Sequence, residues 1–124
     1  MKIHLNHWYS LLALSLAFIL FFYLDLLPKH KALLELTIEE QALQHRYDDE
    51  NQLMKQFAFP AETEHKGEHQ RVLGEFKQFK TRIDKGLITF GRSFVKERLP
   101  QWFQLHALTM DKALVAYIKM QQQA

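Results

Sequence analysis

Residues Trp8 to Leu27 read WYSLLALSLAFILFFYLDLL, a run of 20 residues whose single charge, Asp25, lies close to its end. A helix rises about 1.5 Å per residue, so such a run spans roughly 30 Å, the thickness of a bilayer's hydrocarbon core. Trp8 and Tyr9 stand at one edge and Tyr23 near the other, where amphipathic rings favour a membrane interface. Pro28, Lys29 and Lys31 follow at once. The run predicts one transmembrane helix over residues 8–27, preceded by a short leader of residues 1–7. A cleaved signal peptide fits less well, because the nearest small-x-small triplet, Ser15-Leu16-Ala17, lies inside the apolar stretch. A buried core helix would have only a small globule to hide in.

Beyond this run the chain is polar, with few glycines and prolines to make the turns that sheets need. The fold class that follows is all-α. Zero cysteines exclude disulfides, thiolate catalysis and cysteine metal sites together.

From Pro28 the sequence reads as a helix continuing out of the anchor, over residues 28–59. With Leu33 as heptad position a, the seam falls on Leu33, Leu36, Glu40, Leu43, Tyr47, Glu50, Met54 and Phe57. Six of those eight are apolar, and the exposed positions Glu35, Glu39, Gln41, Gln44, Asp48, Asp49 and Gln52 between them are polar, which is the pattern of a short coiled coil. Leu33, Leu36, Leu43, Tyr47, Met54 and Phe57 are therefore the expected partner-contact residues, in a homo- or hetero-oligomer. The competing arrangement packs the same face on the chain's own C-terminal half. Glu40 and Glu50 interrupt the seam, and a carboxylate there needs a Lys or Arg opposite it.

Phe59-Pro60 marks the predicted helix end, and residues 60–67 a linker. Residues 68–124 read as a helical C-terminal region. Val72, Phe76, Phe79, Ile83, Leu87, Phe90 and Phe94 recur at helical spacing, with a break expected near Gly86 and an end at Pro100. A last helix carries Phe103, Ala107, Met110, Leu114 and Tyr117 along one stripe.

Charge divides between the halves. Pro28 to Glu64 holds four Lys or Arg against eight Asp or Glu, and His65 to Arg98 holds nine against four. The halves can pair as an antiparallel hairpin. Alternatively Arg92, Lys96 and Arg98, beside Phe90, Phe94, Val95 and Leu99, can meet anionic lipid or an acidic partner. No recognition motif or dense basic tract points to nucleic acid.

His65-Lys66-Gly67-Glu68-His69 matches H-x-x-E-H, in which two histidines one helical turn apart hold zinc and the glutamate acts as base. Gly67 and the linker-like surroundings make solvated histidines the default, so no metal and no cofactor are expected. His65, Glu68 and His69 are the weak candidate set if one binds. His4 and His7 read as polar residues beside the anchor rather than a metal pair. No phosphate loop, nucleophile elbow or paired acids in a cleft appears, and no enzyme is expected.

The stretch LDLLPKHKALLELTIEEQALQHRYDDENQLMKQF, Leu24 to Phe57, with its P-x-x-x-x-L-x-x-L-x-x-E-E-x-x-L phrasing, resembles the inner-membrane alignment proteins of type IV pilus machines and the M protein of type II secretion. The resemblance covers less than a third of the chain. Those families end in a ferredoxin-like α/β domain, whereas residues 68–120 here read as helices. It implies an inner-membrane, single-pass protein with its longer part periplasmic, assembling with other subunits of an envelope-spanning secretion or pilus machine. The alternative is an accessory subunit of a membrane enzyme or transporter complex.

Overall fold

A computed structural model describes the backbone of residues 2–124 and the side chains from His7 onward. His4 and most of the 1–7 leader therefore lie outside the described side chains. The described residues are helical, joined by two short turns, with no strand among them. The elements are α1 (Lys2–Phe21), α2 (Leu27–Gln56), α3 (Glu62–Asp84), α4 (Ile88–Ser93), α5 (Leu99–His106) and α6 (Lys112–Gln123). Three π-helical turns, Phe22–Leu26, Phe94–Arg98 and Ala107–Asp111, join α1 to α2, α4 to α5 and α5 to α6 without ending the helix. The molecule is thus three long rods.

Two of the π turns have a cause in the sequence. Proline lacks an N–H and its ring collides with the carbonyl four residues back. For Pro28 and Pro100 that carbonyl belongs to Leu24 and Lys96, each in the middle of a π turn. Widening the turn to an i→i+5 pattern relieves the collision, so the helix continues. Pro100 consequently does not end its segment, contrary to the sequence expectation. The third π turn has no proline behind it.

The two breaks do have local causes. Ala58 adopts a φ of 50° ahead of Pro60, and α3 starts at Glu62, inside the stretch read as linker. Gly86 adopts a φ of 88°, and the amide of Leu87 reaches back to the carbonyl of Arg82 at 2.9 Å. That is a glycine-closed helix end, placed where the sequence predicted a break.

α2 and α3 form an antiparallel hairpin. Lys29 near the start of α2 donates to the Asp84 carbonyl at the end of α3, 2.7 Å away, and Lys80 pairs with Glu40. The acidic and basic halves therefore meet within the chain. Leu36, Leu43 and Tyr47 of α2 interlock with Val72, Phe76, Phe79 and Ile83 of α3, and with Phe94 and Leu99 of the third rod. Truncating one such side chain to alanine costs about 2–5 kcal/mol. The seam residues Leu36, Leu43, Tyr47 and Met54 are buried here, with Leu33 and Phe57 half-buried, so this face is occupied inside the chain.

The helix running from His7 to Gln56 contains a window of mean hydropathy 2.2, none of it buried. By length and composition it is long and apolar enough to cross a membrane.

Candidate metal centre

At one end of the core, five side chains from all three rods converge. Glu50 comes from α2, His65 and His69 from the first turns of α3, His106 from the end of α5 and Asp111 from the third π turn. One donor atom from each lies within 4.8 Å of all the others. The three histidines are 1 to 3% exposed.

Local structure explains each placement. His65 and His69 are four apart in an α-helix and share a face. His106 and Asp111 are five apart, which on an α-helix would set them well off one another's face. The Ala107–Asp111 π turn restores the alignment, since its repeat is near that spacing. Glu50 occupies a seam position of α2 and so points inward with Tyr47 and Met54.

An aromatic ring backs each imidazole. Tyr47 stacks on His69 with centroids 3.7 Å apart, and Trp102 on His106 at 4.6 Å. Phe59 meets His65 edge-on at 6.4 Å.

The Nε2 atoms of His65 and His69 each lie 2.9 Å from Nε2 of His106. Glu50 Oε2 lies 3.1 Å from His69 Nε2 and 3.4 Å from His65 Nε2, and Asp111 Oδ1 lies 3.0 Å from His106 Nε2 and 3.2 Å from His65 Nε2. Both of these carboxylate oxygens are buried without a hydrogen-bond partner among the described residues, as are the outward Nδ1 atoms of all three histidines. One proton per neutral imidazole cannot satisfy so many converging lone pairs. A cation can. Ligands about 2.1 Å from one ion are separated by about 3.0 Å on an octahedron and about 3.4 Å on a tetrahedron, so the observed spacings fit a coordination shell.

Protonation favours the same use. Burial drives the His106 imidazole towards its neutral form, with Asp111 opposing and His65 and His69 reinforcing the shift. Burial pushes the Glu50 carboxyl up, but contacts from His65, His69 and Arg46 outweigh it and hold the group well below the usual carboxylate range. Neutral imidazoles and ionised carboxylates are the metal-binding forms.

The sequence motif supplied two of the five donors. Glu68, its candidate base, instead accepts hydrogen bonds from Trp102 Nε1 at 2.7 Å and from Arg71. Glu68 thereby fixes the indole that backs His106, and its carboxyl is lowered to about 2, chiefly by Arg71. Glu50, His106 and Asp111 were missed. Glu50 registered only as a flaw in an apolar seam, and the i, i+5 spacing of His106 and Asp111 carries no helical signal. His7 is exposed. Arg92, Lys96 and Arg98 are exposed too, Arg98 lying 3.4 Å from Glu75, while their apolar neighbours Phe94 and Leu99 are buried in the core.

The chain is 32% identical over 72 residues to a bacteriohemerythrin of Ralstonia nicotianae, a match covering 58% of this chain and 52% of that protein. The chain thus spans about half the length of the curated relative it matches. No family model and no solved structure matches the chain.

That similarity and the five-donor cluster overturn the reading of this chain as an assembly subunit of a secretion or pilus machine, or of a membrane enzyme complex. Placement in the inner membrane with the longer part periplasmic falls with it, because the similarity is to a bacteriohemerythrin and the apolar helix does not by itself locate a protein. The expectation that no metal binds rested on two solvated histidines. Both are buried and joined by three more donors.

Proposed function

We propose that this chain is a hemerythrin-like metal-binding helical protein, in which Glu50, His65, His69, His106 and Asp111 hold a divalent first-row transition metal. The observation that carries the proposal is the convergence of three buried imidazoles and two carboxylates within 4.8 Å. Nitrogen and oxygen donors without thiolate suit iron, manganese, cobalt or zinc rather than calcium or copper(I). The similarity to bacteriohemerythrin supports it independently.

The reading is of a binder rather than an enzyme. Glu68, the residue the sequence offered as a base, accepts from Arg71 and Trp102, which supports a binder. Elemental analysis of the purified full-length chain tests the proposal: bound metal is expected in the wild type and its loss in His69→Ala and His106→Ala. A metal-free wild type after loading and desalting would refute it.

A bilayer-crossing segment over residues 8–27 is supported by its length, its apolarity and the absence of any buried residue in it.

A further inference from the structure

Each carboxylate of the cluster divides its two oxygens between the imidazoles and one guanidinium. The inner oxygens, Glu50 Oε2 and Asp111 Oδ1, face the three imidazoles. The outer oxygens face Arg46. Its Nε donates to Glu50 Oε1 at 3.0 Å and its Nη2 to Asp111 Oδ2 at 3.3 Å. One guanidinium therefore spans both outer oxygens, and the Phe103 ring lies 4.1 Å from its carbon.

Two carboxylates whose inner oxygens share one point and whose outer oxygens share another have the layout of a bridged two-cation site. Here the second point is filled by the Arg46 guanidinium. The surroundings agree. Among the described residues, no second cluster of three or more His, Asp or Glu donors forms beside Arg46. His45, one residue away, is exposed and pairs with Asp49 at 3.2 Å.

We infer that Arg46 is a fixed cation standing where a second metal ion would be bridged, so that this centre holds one ion per chain. The inference rests on the metal-binding reading above. Arg46 has two consequences for that single ion. It cancels one carboxylate charge, and it aims the inner oxygens by holding the outer ones. A second divalent ion would have to displace a guanidinium that already satisfies both of its oxygens. Arg46 is thus a positioning residue as well as a block.

Cobalt(II) is the probe of choice, because one experiment counts it and reads its magnetic state. The full-length chain is loaded with excess cobalt, desalted and analysed for cobalt per chain, alongside its electron paramagnetic resonance spectrum. The wild type is expected to keep one cobalt with the full signal of an isolated high-spin ion. Arg46→Gln removes the charge and frees both outer oxygens. It is expected to admit a second, weaker cobalt, counted by equilibrium dialysis at high cobalt, with loss of signal through coupling across the carboxylates. Arg46→Lys keeps the charge and should stay at one.

Two coupled cobalt ions in the wild type would overturn the inference while leaving the metal-binding reading intact. Arg46→Gln stopping at one ion with unchanged affinity would overturn Arg46 as the cause. No retained cobalt in the wild type would overturn the metal-binding reading itself. Should Arg46→Gln fail to fold by circular dichroism, the wild-type count and spectrum still decide whether the centre is mononuclear.

Discussion

Tyr47 lies flat on His69, their ring planes within 6° and their centroids 3.7 Å apart. The tyrosine stands on α2 and the histidine on α3, so one stacking contact couples the core of the hairpin to the five-donor cluster. Burial, followed by the Glu50 carboxylate, raises the Tyr47 phenol well above its ordinary range, so the ring stays neutral.

Tyr47→Ala is accordingly expected to lose about 3–5 kcal/mol of stability. Metal affinity should fall about 10- to 100-fold, as when support behind a ligating histidine is removed. Tyr47→Phe keeps the platform, and the hydroxyl it removes is buried without a hydrogen-bond partner. That variant should unfold at or above the wild-type denaturant midpoint. Urea unfolding and a competitive metal titration measure both effects.

The third π turn makes a prediction about length. Deleting exposed Leu108 leaves His106 and Asp111 with the i, i+4 spacing of a regular α-helix and keeps the downstream face in place. That deletion should retain the metal. Inserting an alanine after Leu108 should abolish binding, because neither an α nor a π turn then brings the two residues onto one face. Metal content after gel filtration separates the outcomes; equal loss in both would show that the turn's geometry is not what places Asp111.

Glu68 gives the pH prediction. Its carboxyl is depressed to about 2 in the fold, chiefly by Arg71 and then by the Trp102 hydrogen bond. A depressed carboxyl contributes stability that is fully present above the unfolded value near about 4.5 and lost as pH falls towards 2. Glu68→Gln should therefore be less stable than wild type by about 1 kcal/mol at pH 7, with the difference shrinking below pH about 4.5. Thermal melts of the two proteins across that range provide the check.

Gly91 lets the third rod approach the hairpin. A Cβ there would collide with Cδ1 of the core residue Ile83 and stand 2.9 Å from its Cγ1. Gly91→Ala is expected to destabilise by about 1–3 kcal/mol through overpacking. Ile83→Val removes the nearest atom, so the double variant should recover part of that loss. Additive losses in a double-mutant cycle would show that the two positions do not press on each other.

The amino-acid sequence by itself determined the class of this molecule. Helical periodicity, scarce turn residues and the breaks at Pro60 and Gly86 are local properties, and they specify helices wherever the rods later pack. It also determined the charge split between the halves, which the Lys29–Asp84 and Glu40–Lys80 contacts realise. The partner of the apolar seam was different. A heptad records which face must be covered, and the same face serves another chain or the chain's own second half. Only the tertiary structure decided that Leu36, Leu43 and Tyr47 cover Val72, Phe76 and Ile83. Two of the five clustered donors were legible, because His65 and His69 are neighbours in sequence. Glu50 reaches them only through the antiparallel register of α2 and α3, and Asp111 through a π turn that no proline announces. Donors up to 61 residues apart converge because three rods meet there, and that meeting is a property of packing rather than of any local stretch.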